Sequence, residues 1–432
     1  MKKVLFILHL PPPVHGPAVI GEFIRQSKKI NSEFDCTFLN LSTSSSINEL
    51  GSGSISKFFR FLQLIVKVKW QLIFNRPDLC YMTLNSKGSG FYKDSVIALL
   101  VRLFRVKRVY HFHNKGITSH KLSFFADFLY KLTFSKADVI LISERLYYDF
   151  KKIVPENRVH YCTNGIHGWN PPFPDIYRDT KGMGTSKTSN QQPATQSDSE
   201  VDPIQNNPPL PDSYRDLPRR GISLLEPETR NPEPGTLNPE PETRNPEPGT
   251  CNLMFLSNLF ESKGTFILLD ACRLLKDKNL KFHCTFSGGE GDITSEMFHL
   301  KVNELGLGDC VTYEGMKLGK GKEKVFSEAD IFVHPTSSDC LPLVILEAMQ
   351  YSLPVVSTDE GAIPDAVENG VNGYVISKND PVSLAGKIEL LINDSELRKK
   401  MGSEGRRKYE MEFTFEKFEL RLSDIFSRLS NN

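Results

Sequence analysis

The sequence predicts an α/β protein of two doubly wound domains facing across a cleft, with a disordered proline-rich insert between them. Three observations carry that expectation. Apolar runs of strand length alternate with amphipathic stretches of helix length along most of the chain, the pattern of a parallel sheet covered on both faces. The alternation stops over residues 171–250 and resumes after them. A chain of 432 residues also exceeds what one hydrophobic core comfortably holds.

The first elements follow from local pattern. VLFIL at 4–8 is an uninterrupted apolar run closed by three prolines at 11–13, as a buried strand would be. Read instead as a secretory leader, it has too short an apolar centre and no small-residue cleavage site, so the strand is preferred. The spacing predicts a helix over 18–29, a strand over 35–39 and a long amphipathic helix over 56–74. Strands over 79–82, 109–113, 139–142 and 159–161 follow, with a helix over 93–104. Beyond the gap, strands are expected over 253–256, 281–287, 311–313, 331–334, 354–358 and 373–376. Helices are expected over 264–276, 293–305, 322–328, 343–351, 364–367 and 381–393, with a last helical stretch from 395 to 429. The domains are thus 1–170 and 251–411, and residues 412–432 are expected to form a helix that crosses back to the first domain. Doubly wound sheets bind ligands at the carboxyl ends of their strands, here in the cleft.

Residues 171–250 hold 16 of the 27 prolines and contain EPETRNPEPGT twice, at 226–236 and 240–250. With no apolar seam, such a segment cannot recover its ordering entropy by burial. It reads as an inserted or expanded linker with no function of its own, a tether or spacer being the alternative.

Composition excludes several classes. A net charge of +1 argues against a general nucleic-acid binder. The balance hides an asymmetry, because residues 1–170 carry 24 Lys and Arg against 11 Asp and Glu, whereas 251–432 carry 21 against 28. The eight cysteines are scattered without a CxxC pair, which points to reduced thiols in a cytosolic protein rather than a zinc site. No apolar run is long enough to span a bilayer, and no GxGxxG or Walker sequence supports a dinucleotide or ATP site.

The richest segment is 328–376, EADIFVHPTSSDCLPLVILEAMQYSLPVVSTDEGAIPDAVENGVNGYVI. A strand ends at His334, a polar turn follows, and a helix begins with Pro342 expected at its first position. The free N–H groups of Leu343 and Val344 would then point into the cleft as an anion site. Asp339 lies just before this helix and Glu347 one turn inside it; the pair could grip sugar hydroxyls beside a diphosphate. The plainer alternative makes Asp339 a cap and Glu347 a solvated face residue.

This segment resembles the signature of the retaining GT-B glycosyltransferases of the group 1, or family 4, class, bacterial surface-polysaccharide type. That family carries two Glu residues with seven intervening positions, then a small-residue/Pro-Val-Val strand and a glycine-rich turn. Glu347-Ala348-Met349, Pro354-Val355-Val356, Gly361, Gly370 and Gly373 match in order and spacing, with Asp339 in place of the first Glu. The resemblance implies two Rossmann-like domains. It also implies an Arg and a Lys that clamp the donor diphosphate. Lys263-Gly264 fit the second cation, but Ser257-Asn258 stand where Gly-Arg is usual.

Further matches are shorter. The loop 11–21 resembles the one that approaches donor phosphate and acceptor, with Gly16 the expected close-approach residue, a tight turn being the alternative. His111 and His113 share one side of a strand end, and the family places a histidine there against the donor sugar, for which His113 fits best. Asn164-Gly165-Ile166 resembles the turn closing the first domain, and the glycine loop at Gly288 resembles the one beside the nucleotide base.

The resemblance implies transfer of a sugar from a nucleotide-diphosphate sugar, as substrate rather than cofactor, to a saccharide or polyprenyl-diphosphate-linked acceptor. Configuration would be retained, with no metal, the departing phosphate oxygen taking the acceptor proton. The catalytic residues expected are His113, Lys263, Asp339 and Glu347; the binding residues are Gly16, Asn258, Gly288, Leu343 and Val344. The basic helix at 56–74 and the cluster Arg102, Arg105, Lys107 and Arg108 fit an anionic membrane surface, or else a buried helix with snorkelling ends. The setting expected is the cytoplasm, at the inner face of the membrane. Rival readings are a GT-B nucleotide-sugar epimerase and a non-catalytic nucleotide-sugar binder, the latter suggested by Asn258 and Asp339.

Overall fold

The structure, a computed structural model, describes residues 1–12, 15–42, 55–117, 124–168 and 249–431. The insert expected over 171–250 lies outside the described residues except for Gly249 and Thr250. The first half builds a parallel sheet from β1 (Lys2–Leu8), β2 (Phe34–Asn40), β3 (Leu79–Thr83), β4 (Lys107–Phe112), β5 (Asp138–Leu141) and β6 (Val159–Tyr161). Its order is β2-β1-β3-β4-β5-β6. The connecting helices are α1 (Gly16–Gln26), α2 (Lys28–Glu33), α3 (Ile55–Trp70), α4 (Gly88–Leu103) and α5 (Phe124–Phe134).

The second half repeats the plan with β7 (Cys251–Leu256), β8 (Phe282–Ser287), β9 (Val311–Tyr313), β10 (Ile331–His334), β11 (Val355–Thr358) and β12 (Gly373–Ile376). All pairs are again parallel, in the order β12-β11-β10-β7-β8-β9. Its helices are α6 (Thr265–Asp277), α7 (Ser295–Glu304), α8 (Lys320–Glu328), α9 (Leu343–Gln350), α10 (Ile363–Ala366), α11 (Pro381–Asn393), α12 (Ser395–Lys408) and α13 (Phe415–Asn431). The winding direction reverses between β1 and β3 in one sheet and between β7 and β10 in the other, the points at which doubly wound sheets take ligands.

Alternation along the strands sorts the cores. Leu253 and Phe255 face one side of the second sheet, under α6, α7 and α11. Met254, between them, faces α8 and α9, in a core that continues through α13 into the first sheet. α13 presents Phe418, Leu422, Phe426 and Leu429 on one buried face. The Phe426 ring lies 5.6 Å from Phe6, 5.9 Å from Phe34 and 5.2 Å from Tyr81. The chain's last helix is therefore part of the core of its first sheet.

Two expectations are corrected. The single helical stretch from 395 to 429 is broken: α12 ends at Lys408, a π turn spans Tyr409–Phe413, and Thr414 is extended. Tertiary pairing interrupts the helix there. The Phe415 N–H donates to the Ile166 carbonyl at 2.8 Å, and the Ile166 N–H to that of Phe413 at 3.0 Å. α5, which the sequence reading does not include, is an eleven-residue helix whose charged side chains are Asp127 and Lys131.

Candidate functional site

β10 ends at His334, and the polar turn behind it carries Asp339 back towards the start of α6. Gly264 links a short 3-10 turn (Glu261–Lys263) to α6 with φ +81°, and a Cβ there would meet the Pro335 carbonyl at 2.2 Å. Only glycine permits that approach, which brings Lys263 over the turn. Lys263 Nζ lies 2.6 Å from Asp339 Oδ1, while Asp339 Oδ2 accepts from Thr336 Oγ1 at 2.8 Å and contacts His334 Nε2 at 3.2 Å. Burial alone would raise the Asp339 carboxyl, but His334 and Lys263 outweigh it and hold the pKa down to about 2. Asp339 is thus a fixed anion with a fixed cation beside it.

Pro342 is the residue before α9 rather than its first, with extended backbone (φ −61°, ψ 127°). The ring still excludes one donor, and the amides of Leu343 and Val344 meet no acceptor among the described residues. Glu347, one turn on, sends Oε1 to Lys322 Nζ of α8 at 2.6 Å, while its buried Oε2 has no partner among the described residues. The helix start therefore offers open donors, a carboxylate with spare acceptor capacity, and Lys263.

The glycine loop after β8 packs on the end of β7. Gly288 has φ +152°, and a Cβ would lie 1.9 Å from the Ser257 carbonyl. Asn258 Oδ1 accepts the Gly289 N–H at 3.0 Å, so this side chain anchors the loop and adds no cation. Glu360, buried at 1% exposure, joins the two halves. Its Oε1 accepts the Asp339 N–H at 3.1 Å and pairs with Lys115 of the first half, and its Oε2 meets Lys378 at 3.0 Å. Arg145 Nε, also of the first half, lies 2.7 Å from Asp365 Oδ1.

In the first half the strand ends gather neutral side chains. His113 Nδ1 lies 3.1 Å from Asn164 Oδ1, and its buried Nε2 has no partner among the described residues. Its ring centroid lies 4.2 Å from that of His111, tilted by 35°, and His111 Nδ1 is 2.6 Å from the Tyr81 hydroxyl. His9 Nδ1 is 3.1 Å from Thr83 Oγ1, and the His15 ring lies 5.8 Å away. Asn85 donates through Nδ2 to the buried Asp94 carboxylate at 2.8 Å. Burial, reinforced by Lys93 and the neighbouring histidines, pushes His9 down to about 3. Burial likewise lowers His113 to about 4, against the pull of Asn164. These imidazoles are neutral at pH 7.

The structure brings Lys263 and Asp339 into contact and places Leu343, Val344 and Glu347 on the helix that follows; Asn258 and Gly288 share the loop beside them. Gly16 opens α1, where a Cβ would meet nothing within 4 Å. One turn later, a Cβ at Gly21 would lie 2.2 Å from the His9 carbonyl, so that glycine lets α1 pack against the end of β1. Lys322, Lys115, Glu360, His9, His15 and Asn85 escaped the reading of the sequence. Lys322 sits in KLGKGKEK, indistinguishable from a solvated run, and nothing local marks a Lys–Glu pair 245 positions apart.

Two fully parallel, doubly wound, six-stranded sheets in one chain are the GT-B class of fold. Solved structures agree: the Anabaena protein HepE, in complex with UDP and glucose, aligns over 99% of this chain and 100% of its own with a TM-score of 0.63 at 16% identity. Sucrose-phosphate synthase from Thermosynechococcus elongatus aligns over 99% of both chains with a TM-score of 0.63 at 14% identity. Residues 242–408 match the family described as glycosyl transferases group 1. The amylovoran biosynthesis glycosyltransferase AmsK of Erwinia amylovora is 30% identical over 184 residues, 41% of this chain and 45% of its own. The D-inositol 3-phosphate glycosyltransferase of Corynebacterium jeikeium is 32% identical over 153 residues, 34% and 36% of the two chains. The chain thus spans less than half the length of these curated relatives.

Proposed function

We propose that the protein is a glycosyltransferase of cell-surface polysaccharide synthesis. It moves a sugar from a nucleotide-diphosphate sugar to a saccharide acceptor, lipid-linked through a polyprenyl diphosphate, with retention of configuration. The observation that carries this reading is the Lys263–Asp339 pair beside the open amides of Leu343 and Val344. A diphosphate on those amides, with Lys263 turning towards it, has the leaving group's charge neutralised by fixed dipoles and a cation, which does the work of a metal. Asp339, ionised at neutral pH, accepts from sugar hydroxyls, and the spare Oε2 of Glu347 accepts from the nucleotide end. His113 donates from Nδ1 to Asn164, so Nε2 is free to accept from a hydroxyl at the opposite wall. The acceptor hydroxyl attacks from the leaving-group side, and the departing phosphate oxygen takes its proton. No described helix is long and apolar enough to cross a membrane; the site of action proposed is the cytoplasmic face.

The test is nucleotide release by the purified chain from a panel of nucleotide sugars, with and without acceptor and in excess EDTA. Release is expected, and to survive EDTA. Lys263→Ala and Glu347→Ala should each lower kcat/KM by about 2–4 kcal/mol, a factor of roughly 30 to 1,000, at unchanged melting temperature. Near-normal turnover in either variant removes the site assignment. A second reading, a nucleotide-sugar binder without turnover, is favoured by Asn258 Oδ1 being committed to the Gly289 amide. Donor binding without release from any donor would select it.

A further inference from the structure

The face of the first sheet remote from α13 has an unusual surface. Right-handed crossovers place α3, α4 and α5 side by side on that face, and the three are in contact in that order. α3, continued by a π turn over Gln71–Asn75, carries two apolar stripes instead of one. Leu64, Val68 and Leu72 are buried against the sheet. On the opposite side Phe58, Phe59, Leu62, Val66, Trp70 and Phe74 stand in water, at 59%, 59%, 40%, 66%, 58% and 61% exposure. Their spacing of three to four residues keeps them on one side of the helix. On α5, Phe124 and Phe125 are 91% and 66% exposed. Aromatic residues repeated along an outward face mark an interaction surface rather than the scattered apolar exposure of any protein.

Charge selects the partner. Between residues 55 and 109 stand eleven Lys and Arg against two Asp, and one of those two, Asp94, is buried. Arg60, Lys67 and Lys69 are exposed on α3 beside the apolar stripe. A long basic helix with an exposed aromatic stripe suits a plane of anionic headgroups over hydrocarbon: rings enter the acyl boundary while lysines stay at the phosphates. The helices of the second half show no such stripe; their exposed apolar residues, such as Met297 and Leu300, stand among Glu296 and Glu304 in a region of net negative charge.

We propose that the outer face of α3, α4 and α5 docks on an anionic lipid bilayer, with the Phe58–Phe74 stripe inserted at the headgroup level. Topology gives this a consequence for the site. In a parallel sheet each crossover helix starts at the carboxyl-end side of its strands, so the starts of α3 and α5 lie on the side of the sheet where His9 and His113 end their strands. Docking by this face would bring the rim of the first-half site to the membrane surface. The proposal extends the lipid-linked acceptor reading but does not depend on turnover.

The full-length chain is mixed with vesicles of phosphatidylcholine containing about 30 mol % phosphatidylglycerol, or of phosphatidylcholine alone, and partitioning is measured by co-sedimentation. Binding is expected to the anionic vesicles, and to weaken at least tenfold as NaCl rises from about 0.05 to 0.5 M. Phe58→Ser/Phe59→Ser and Lys67→Glu/Lys69→Glu alter exposed residues, so circular dichroism should be unchanged while partitioning falls about tenfold in each. In a Trp169→Phe background, Trp70 is the remaining tryptophan, and its emission should shift to the blue on vesicle binding. Nucleotide release on a water-soluble acceptor should survive both double variants, which separates failure of the surface from failure of the transfer reaction. Equal binding to neutral vesicles, binding untouched by the substitutions, or a dimer that the Phe58/Phe59 variant dissociates in the absence of lipid would each overturn the proposal.

Discussion

The two halves of this molecule share a plan and differ in chemistry. Around β7 and β10 the site is built from charge: Lys263 with Asp339, Lys322 with Glu347, and Glu360 between Lys115 and Lys378. Around β1 and β3 it is built from uncharged imidazoles and amides, namely His9, His15, His113, Asn85 and Asn164. Fixed charge of this kind suits an anionic group such as a diphosphate, whereas the first half offers hydrogen-bond donors and acceptors that carry no net charge. The family match covers 242–408, the stretch that holds Lys263, Lys322, Asp339, Glu347 and Glu360. A charged helix start can be encoded in one short run of sequence, whereas a ring of strand-end side chains cannot.

Severing the halves should have the largest effect. Phe426 of α13 is buried among Phe6, Phe34 and Tyr81, so Phe426→Ala should cost about 3–5 kcal/mol of stability through lost burial and a cavity. Urea unfolding followed by circular dichroism measures it. A loss below about 1 kcal/mol would mean α13 is dispensable to the first half.

Acid should then tell the halves apart. His9 and His113 are held near 3 and 4 in the fold, below the ordinary 6.5. Between those limits the unfolded chain binds protons that the folded chain refuses. Stability is therefore full above pH 6.5 and falls as pH drops through this window, by up to about 1.4 kcal/mol per pH unit for each imidazole. Asp339 behaves in the opposite range: with a folded pKa of about 2 against 3.8, its contribution is intact above pH 4 and lost only towards pH 2. Urea midpoints at pH 7.5 and 4.5 should differ, and His113→Asn should flatten the slope. A flat profile over that range would contradict the neutral-histidine account.

Cutting the charged link between halves is a smaller perturbation. In Lys115→Met, Glu360 keeps Lys378 at 3.0 Å, so the loss should be about 1–2 kcal/mol rather than the 3–5 of a buried charge left alone. Because Glu360 also holds the Asp339 amide, the KM for donor should rise several-fold with kcat little changed. An unchanged KM would confine the pair to structure. Least of all should come from replacing residues 175–248 with a short Gly/Ser linker. α13 already ties the second half to the first, and closure entropy changes by only about 0.6 kcal/mol per doubling of loop length. Melting temperature and transfer rate are expected to hold; a clear drop in either would give the insert a role.

Much was legible in the order of residues alone. The alternation of apolar runs located every strand of both sheets to within two residues, because parallel strands buried on both faces are marked by composition. The run from Asp339 through Glu347 to Gly373 announced a helix-start site because its parts are neighbours in sequence, and helix geometry fixes their spacing. What only the tertiary structure decided are the relations that span long loops. Asn258 anchors a glycine loop across β8; Lys115 reaches Glu360; Ile166 pairs with the segment that breaks the last helix; four strand ends bring His9, Asn85, His113 and Asn164 together. The second face of α3 belongs here too, since apolar spacing makes a helix amphipathic but leaves open which stripe the sheet will cover. Local periodicity encodes the elements; the partner of a side chain hundreds of residues away is set by where β-sheet order and α13 carry the backbone, and no window of sequence contains that information.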